Sequence, residues 1–98
     1  MTPIQITQAA AEDLLAGYQF YEQQQREIGR YFLECLTNDI SNLGQTAGTH
    51  FKLLPSIYRA LSKRFPFAIY YRYLDHQAVV IAVLDCRQDP KSIMNRFA

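Results

Sequence analysis

Apolar residues recur at helical spacing in the first half of the chain and at strand spacing in the second. Pro3 to Ile6 reads as a short first strand. Thr7 is a good N-cap, and Glu12 and Asp13 suit the positive end of a helix dipole. Ala10, Ala11, Leu14, Tyr18 and Tyr21 then share one face, which predicts a first helix to about Gln24. Phe20 points to the opposite side, an odd place for a large aromatic unless a loop or a partner covers it. The polar stretch "EQQQRE" (Glu22 to Glu27) marks a turn. Beyond it, Ile28, Phe32, Cys35, Leu36, Ile40 and Leu43 form a second stripe, which predicts a helix from about Glu27 to Leu43. So short a link makes the two helices an antiparallel hairpin.

The period then changes. Gly44 to Pro55 holds two glycines, a threonine pair and a proline, and reads as a connecting loop. Ile57 to Arg64 alternates loosely and predicts a strand. Phe65-Pro66 is a turn or bulge, because proline cannot donate within a ladder. In the strand from Phe67 to Tyr73, Phe67, Ile69, Tyr71 and Tyr73 form the face toward the helices. Ala68, Tyr70 and Arg72 form the other, which is expected to be solvated. "LDHQ" (Leu74 to Gln77) reads as a tight hairpin turn, and Ala78 to Cys86 is apolar on both faces, as in a central strand. Asp89-Pro90 starts a short last helix to about Phe97. The expected fold is one α+β domain over residues 1–98. It has an N-terminal strand, an antiparallel two-helix hairpin packed on an antiparallel β-sheet, and a short C-terminal helix.

Charge adds an asymmetry that the pattern does not show. Residues 1–50 carry two arginines against six carboxylates, and residues 51–98 carry eight bases against three carboxylates. A basic second half points to an anionic partner. Cys35 and Cys86 lie far apart with no CxxC or Cys/His spacing, so neither a disulfide framework nor a zinc site is expected. No basic segment followed by an apolar run opens the chain, and the longest strongly apolar run, Ala78 to Leu84, is far too short to span a bilayer. These features lead us to expect a cytoplasmic protein that avoids membranes.

No enzyme constellation stands out: there is no HExxH, GxSxG, P-loop or Cys–His pair at nucleophile spacing. His50 falls in the loop and His76 in the hairpin turn, where each reads as a surface residue. Lys52, Arg59, Lys63, Arg64, Arg72 and Arg87 could supply cations to a phosphate or another anion. Asp85 and Asp89 flank Arg87 and could orient it. Asp39 falls inside the apolar stripe of the second helix, where a lone carboxylate needs a partner. Arg59 is expected to pair with it across the helix–sheet boundary.

The order of elements resembles the RelE/ParE superfamily of toxins from bacterial type II toxin–antitoxin modules. The resemblance covers almost the whole chain. It is sharpest at Arg59, at "RFPFAIYY" (Arg64 to Tyr71) and at "VVIAVLDCRQDP" (Val79 to Pro90). It implies one of two activities, with a possible role in plasmid stabilization. RelE-type members resemble ribonucleases that cut messenger RNA in the ribosome; ParE-type members resemble poisons of DNA gyrase. The ribonuclease branch places a tyrosine or histidine beyond the arginine that matches Arg87. Here that segment is "QDPKSIMNRFA" (Gln88 to Ala98), which has neither. The Phe-Pro turn and the "DCRQDP" exit look more like the ParE branch. The resemblance therefore implies a growth inhibitor that acts by binding DNA gyrase, with Arg59, Lys63, Arg64, Arg72 and Arg87 on the target surface. The alternative is a ribosome-dependent messenger endonuclease using Arg87, Arg59 and Lys52. Either way it implies no cofactor and no metal, and a cognate antitoxin meeting Phe20, Tyr21 and Tyr31, with a homodimer or a heterotetramer with the antitoxin as the assembly.

Overall fold

The first helix begins where the sequence places its cap: the Thr7 hydroxyl accepts from the backbone N–H of Ala10 at 3.2 Å. The computed structural model describes residues 1–98. Its elements run β1 (Ile4–Ile6), α1 (Gln8–Gln24), α2 (Ile28–Thr46), β2 (Phe51–Leu54), β3 (Ile57–Leu61), β4 (Phe67–Leu74), β5 (Gln77–Asp85) and α3 (Pro90–Asn95). The five strands form one sheet in the order β1-β5-β4-β3-β2. All neighbours are antiparallel except β1, which lies parallel to β5 through Ile4↔Ala78 and Ile6↔Val80.

The α1–α2 hairpin packs on one face of the sheet. Phe32, Leu36, Ile40 and Leu43 from α2 meet Ala60, Phe67, Ile69, Tyr71, Val80 and Val83 from the strands. The helices approach closely because α1 has Gly17 where the Phe32 ring sits: a Cβ on Gly17 would lie 2.5 Å from that ring. Phe32 is fully buried, with its ring centred 4.9 Å from Phe67, 5.1 Å from Phe65 and 5.2 Å from Tyr21. The link between the helices turns on Glu27, whose φ is +73°, a left-handed conformation that costs a non-glycine residue about 1–2 kcal/mol. The Glu22 carboxylate compensates by accepting from the backbone N–H groups of Glu27 and Gly29, both at 3.0 Å, and so caps α2 from the end of α1.

Three sequence expectations need correction. The segment Gly44 to Pro55 is not all loop: α2 continues to Thr46, and Phe51–Leu54 forms the edge strand β2. Strand β3 ends at Leu61 rather than Arg64, and the turn that follows is closed by the Ser62 N–H donating to the Phe67 carbonyl at 2.9 Å. The far face of β4 is not solvated around Ala68 and Tyr70, which are 0% and 2% exposed. They form a second core with Ile57, Ala82 and Leu84, under Ile93 and Phe97 from the C-terminal segment. The Phe97 ring lies 5.2 Å from Tyr70. Only Arg72, further along the same face, is exposed as expected.

Asp13 ties these parts together. Strand β1 covers β5 only as far as Val80, and beyond it the Asp13 carboxylate accepts the Val83 N–H at 3.0 Å. The same carboxylate takes two hydrogen bonds from the Arg96 guanidinium, at 3.0 and 2.7 Å. One side chain of α1 therefore completes the edge of β5 and anchors the segment that covers the far face. Bidentate geometry makes such a pair stronger than an ordinary surface bridge.

Two outcomes follow. Gly17→Ala should lose about 1–3 kcal/mol of stability by overpacking Phe32, although alanine favours helix by about 1 kcal/mol. A stable variant in urea unfolding would mean that the hairpin yields freely. Asp13→Asn should lose about 1.5–3 kcal/mol and loosen the C-terminal segment; amide exchange that stays slow across residues 90–98 would show that the segment is held by apolar contact alone.

Candidate functional site

The basic residues singled out from the sequence occupy four different places. Arg59 is on β3, paired in register with Phe51 on one side and Tyr70 on the other, so it faces away from the helices. Its guanidinium lies 4.7 Å from the centre of the Phe51 ring. Its Nε is buried without an acceptor. Arg72 shares this face and donates from Nη1 to the Ser56 hydroxyl at 2.8 Å. Lys52 is on the helix side of β2, with its ammonium 5.3 Å from the centre of the Tyr58 ring. Lys63 and Arg64 are exposed in the turn after β3.

Arg87 stands apart from these. Just beyond β5 it binds Asp85 with Nε and Nη2 at 3.0 and 2.7 Å, and its backbone N–H donates to the same carboxylate at 2.8 Å. These bonds hold the Asp85 carboxyl below its usual range and raise the Arg87 guanidinium above its own. The arginine expected to be presented by the strand exit is thus exposed but already paired. Asp89 does not share in this: its carboxylate caps α3 by accepting the Lys91 N–H at 3.2 Å.

The aromatics expected to meet a partner also divide. Phe20 is 49% exposed and lines a groove of about 250 Å3 with Ala16, Gly17, Phe67, Val83 and Leu84. Tyr31 is also exposed, with its ring 5.6 Å from Phe65. Tyr21 is half-buried between Phe32, Phe65 and Phe67 and belongs to the core cluster. Phe20 leans edge-on against it at 5.1 Å. The open side of α1 is therefore apolar, and Phe20 is its largest exposed side chain.

The expected Asp39–Arg59 ion pair does not form. Strand alternation sends Arg59 to the far face, while Ala60 faces the helices. Asp39 instead accepts from the Ser62 hydroxyl at 2.7 Å and from the Lys63 N–H at 3.3 Å. The carboxylate at that stripe position does need a partner, and the turn after β3 supplies it.

A polar cleft that the sequence did not indicate opens beside this contact. It has a volume of about 310 Å3 and is lined by Asp39, Asn42, His50, Leu61 and Lys63 above Leu43 and Ile69. His50 Nδ1 lies 2.5 Å from the Tyr71 hydroxyl, which also accepts the Gly48 N–H at 2.9 Å. Burial pushes the His50 imidazole below its ordinary value and the Tyr71 phenol above its own. Burial thus disfavours the charged imidazole. Gly48 makes this turn possible: its φ is +90°, and a Cβ there would lie 2.8 Å from the Tyr73 ring. Only the glycine pair around Thr46 and the nearby histidine hinted at it, and nothing in the pattern linked them to Tyr71. No group of three or more His, Cys, Asp or Glu side chains is arranged to hold a metal ion, and no helix is long and apolar enough to cross a membrane.

No protein-family model matches the sequence, and no curated protein does. Solved structures do match. A chain of the chromosomal ParDE TA system from P. aeruginosa superposes with a TM-score of 0.76 at 21% identity, covering 85% of this chain and 94% of that one. The isolated E. coli RelE toxin superposes with a TM-score of 0.64 at 12% identity, covering 100% of both chains. The expected α+β architecture, with a helix hairpin on a mostly antiparallel sheet, is thus the RelE/ParE fold.

The burial of His50 gives a pH signature. Its ordinary value is 6.5 and the folded value is lower, so the unfolded chain takes up the proton first. Stability is then full above pH 6.5 and falls as the pH drops below it toward the folded value. Urea unfolding at pH 7.5 and pH 5 should show this loss in the native sequence and a smaller one in His50→Asn. An equal loss in both would assign the effect elsewhere.

Proposed function

We propose that this chain is the toxin component of a type II toxin–antitoxin module, that it stops growth by binding DNA gyrase, and that a cognate antitoxin neutralises it. The observation that carries the reading is the likeness to a chain of the ParDE TA system, which extends over nearly all of that chain. The chemistry of the sheet agrees with a protein that acts by binding. Cleavage of RNA through its 2′-hydroxyl needs a proton acceptor, a proton donor and cations free to meet the developing charge. The segment after β5 holds no histidine or tyrosine, and Arg87 is occupied by Asp85. His50 is close to Tyr71 on the other side of the sheet from Arg59.

Within this reading, Arg59, Lys63 and Arg64 are the cations of the target surface. They lie on β3 and in the turn that follows, and their side chains carry no ion pair. Arg72 and Arg87 act through Ser56 and Asp85, by shaping the strand ends. Phe20 and Tyr31 offer the antitoxin an apolar grip on the helix hairpin.

Induction of the chain alone in bacteria should stop growth, trigger the DNA-damage response and leave messengers intact. Purified protein should inhibit supercoiling by gyrase, and Arg59→Ala with Arg64→Ala should relieve both effects while the protein stays folded. Codon-specific cleavage of messengers in a translating extract, with supercoiling unaffected, would replace this reading with the ribosome-dependent endonuclease.

A further inference from the structure

The partly buried arginines of this protein are spoken for, with one exception. Arg96 is held by Asp13. Arg59 is also half-buried, yet its guanidinium makes no hydrogen bond and no ion pair. It is nonetheless held in place. The Phe51 ring lies beneath it at 4.7 Å, and Tyr70 stands opposite it in register on β4. With Nε sealed under its neighbours, the outer edge of the fork is what remains for a ligand.

The surroundings of this fork are apolar and open. Phe51 is 59% exposed and Leu61 is 62% exposed, and both share the face of Arg59. An aromatic ring, an arginine and a leucine left outside the core form a compact contact patch of the kind that anchors protein partners. The flanking bases are Lys63 and Arg64, both exposed in the turn after β3.

We infer that the Phe51–Arg59–Leu61 corner binds an extended acidic peptide segment of a protein partner, in which one carboxylate is flanked at alternate positions by apolar side chains. An extended segment presents alternate side chains about 7 Å apart, which is also the spacing of Arg59 and Leu61 along β3. The carboxylate takes the free edge of the guanidinium through two parallel hydrogen bonds. The apolar neighbours cover Phe51 and Leu61. A nucleic-acid backbone fits less well. Its phosphates could meet Arg59, Lys63 and Arg64, but a sugar–phosphate backbone brings no aliphatic group to cover the exposed Leu61.

The inference rests on the reading of the chain as a protein that acts by binding, but its test does not use growth or gyrase. The probe is an acetylated, amidated peptide, Leu-Ser-Glu-Ser-Leu, titrated into 15N-labelled protein. The expected result is a shift of the Arg59 Nε–Hε resonance together with the amides of Phe51 and Leu61. Arg59→Lys keeps the charge and should weaken the peptide by about tenfold, since an ammonium cannot form the paired bonds. Leu61→Ser, at an exposed position, should weaken it while leaving the spectrum of the core intact. Replacing Glu by Gln in the peptide should abolish the Nε–Hε shift. The inference is overturned if the peptide leaves these resonances unmoved, if Arg59→Lys binds it as well as the native protein, or if a thymidine octanucleotide moves them and the peptide does not. Loss of toxicity in cells with peptide binding intact would count against the proposed function and not against this site.

Discussion

The structure depends on one contact: the Phe32 ring seated in the gap left by Gly17. Phe32 must reach both across the hairpin and down to the sheet, and it does so with no exposed surface. A side chain at position 17 would fill the space its ring occupies. Because the ring enters there, the two helices lie close and Tyr21, Phe65 and Phe67 close around it. Burying such aromatics removes a large apolar area and adds edge-to-face attraction, which makes the cluster a major source of stability in so small a chain. The position of α1 then decides the rest. Set at that distance, it puts Asp13 against the edge of β5, and through Asp13 it holds Arg96 and the cover of the far face. The left-handed turn at Glu27 is tolerated because Glu22, from the same well-placed helix, satisfies the start of α2.

Much of this was readable from the pattern and some was not, for physical reasons that differ from element to element. The helices were legible because their stripes run over several turns and Thr7 is a cap with a definite role. Strands β4 and β5 were legible because aromatic and branched residues persist over eight or nine positions. Strand β2 was hidden, since four residues behind a glycine-containing turn are too few for alternation to show. The far face misled for another reason. Tyr70 and Arg72 look like solvated residues, and their burial differs because Ile93 of a six-residue helix and Phe97 just beyond it cover one of them. That helix is held by Arg96 and Asp13, which are 83 positions apart, and no local signal carries such a pairing.

The site was legible in its residue types and not in their pairings. That basic residues collect on β3 and its neighbours follows from the sequence. One pairing the sequence did suggest, Arg87 with a flanking carboxylate, forms with Asp85, while Asp89 caps α3 instead. The reading of Asp39 was half right. A carboxylate within an apolar stripe does find a partner, but alternation along β3 turns Arg59 away and leaves Ser62 and Lys63 to serve it. Tyr71 is the opposite case. Its place on the core face was plain, and its hydroxyl was the part that mattered, because a buried phenol must find a hydrogen-bonding partner. It finds Gly48 and His50, and so fixes the turn between α2 and β2.

These differences give the two faces of the sheet different physical characters. The helix face is closed by the packed hairpin except at the polar cleft beside Asp39 and His50. The far face is closed only where α3 and its following residues reach, and the strands there are already held rigid from the other side. Apolar side chains on the uncovered part therefore stay in fixed positions without being buried. In a small domain such exposure is a cost, because little core is available to offset it. A partner that covers the corner removes that cost and, by binding only the folded form, adds stability to it. Packing on one face and incomplete cover on the other thus leave this corner open to a partner. It requires no loop to reorganise and no segment to fold, only that the cover over Ile57 stop short of Phe51 and Leu61.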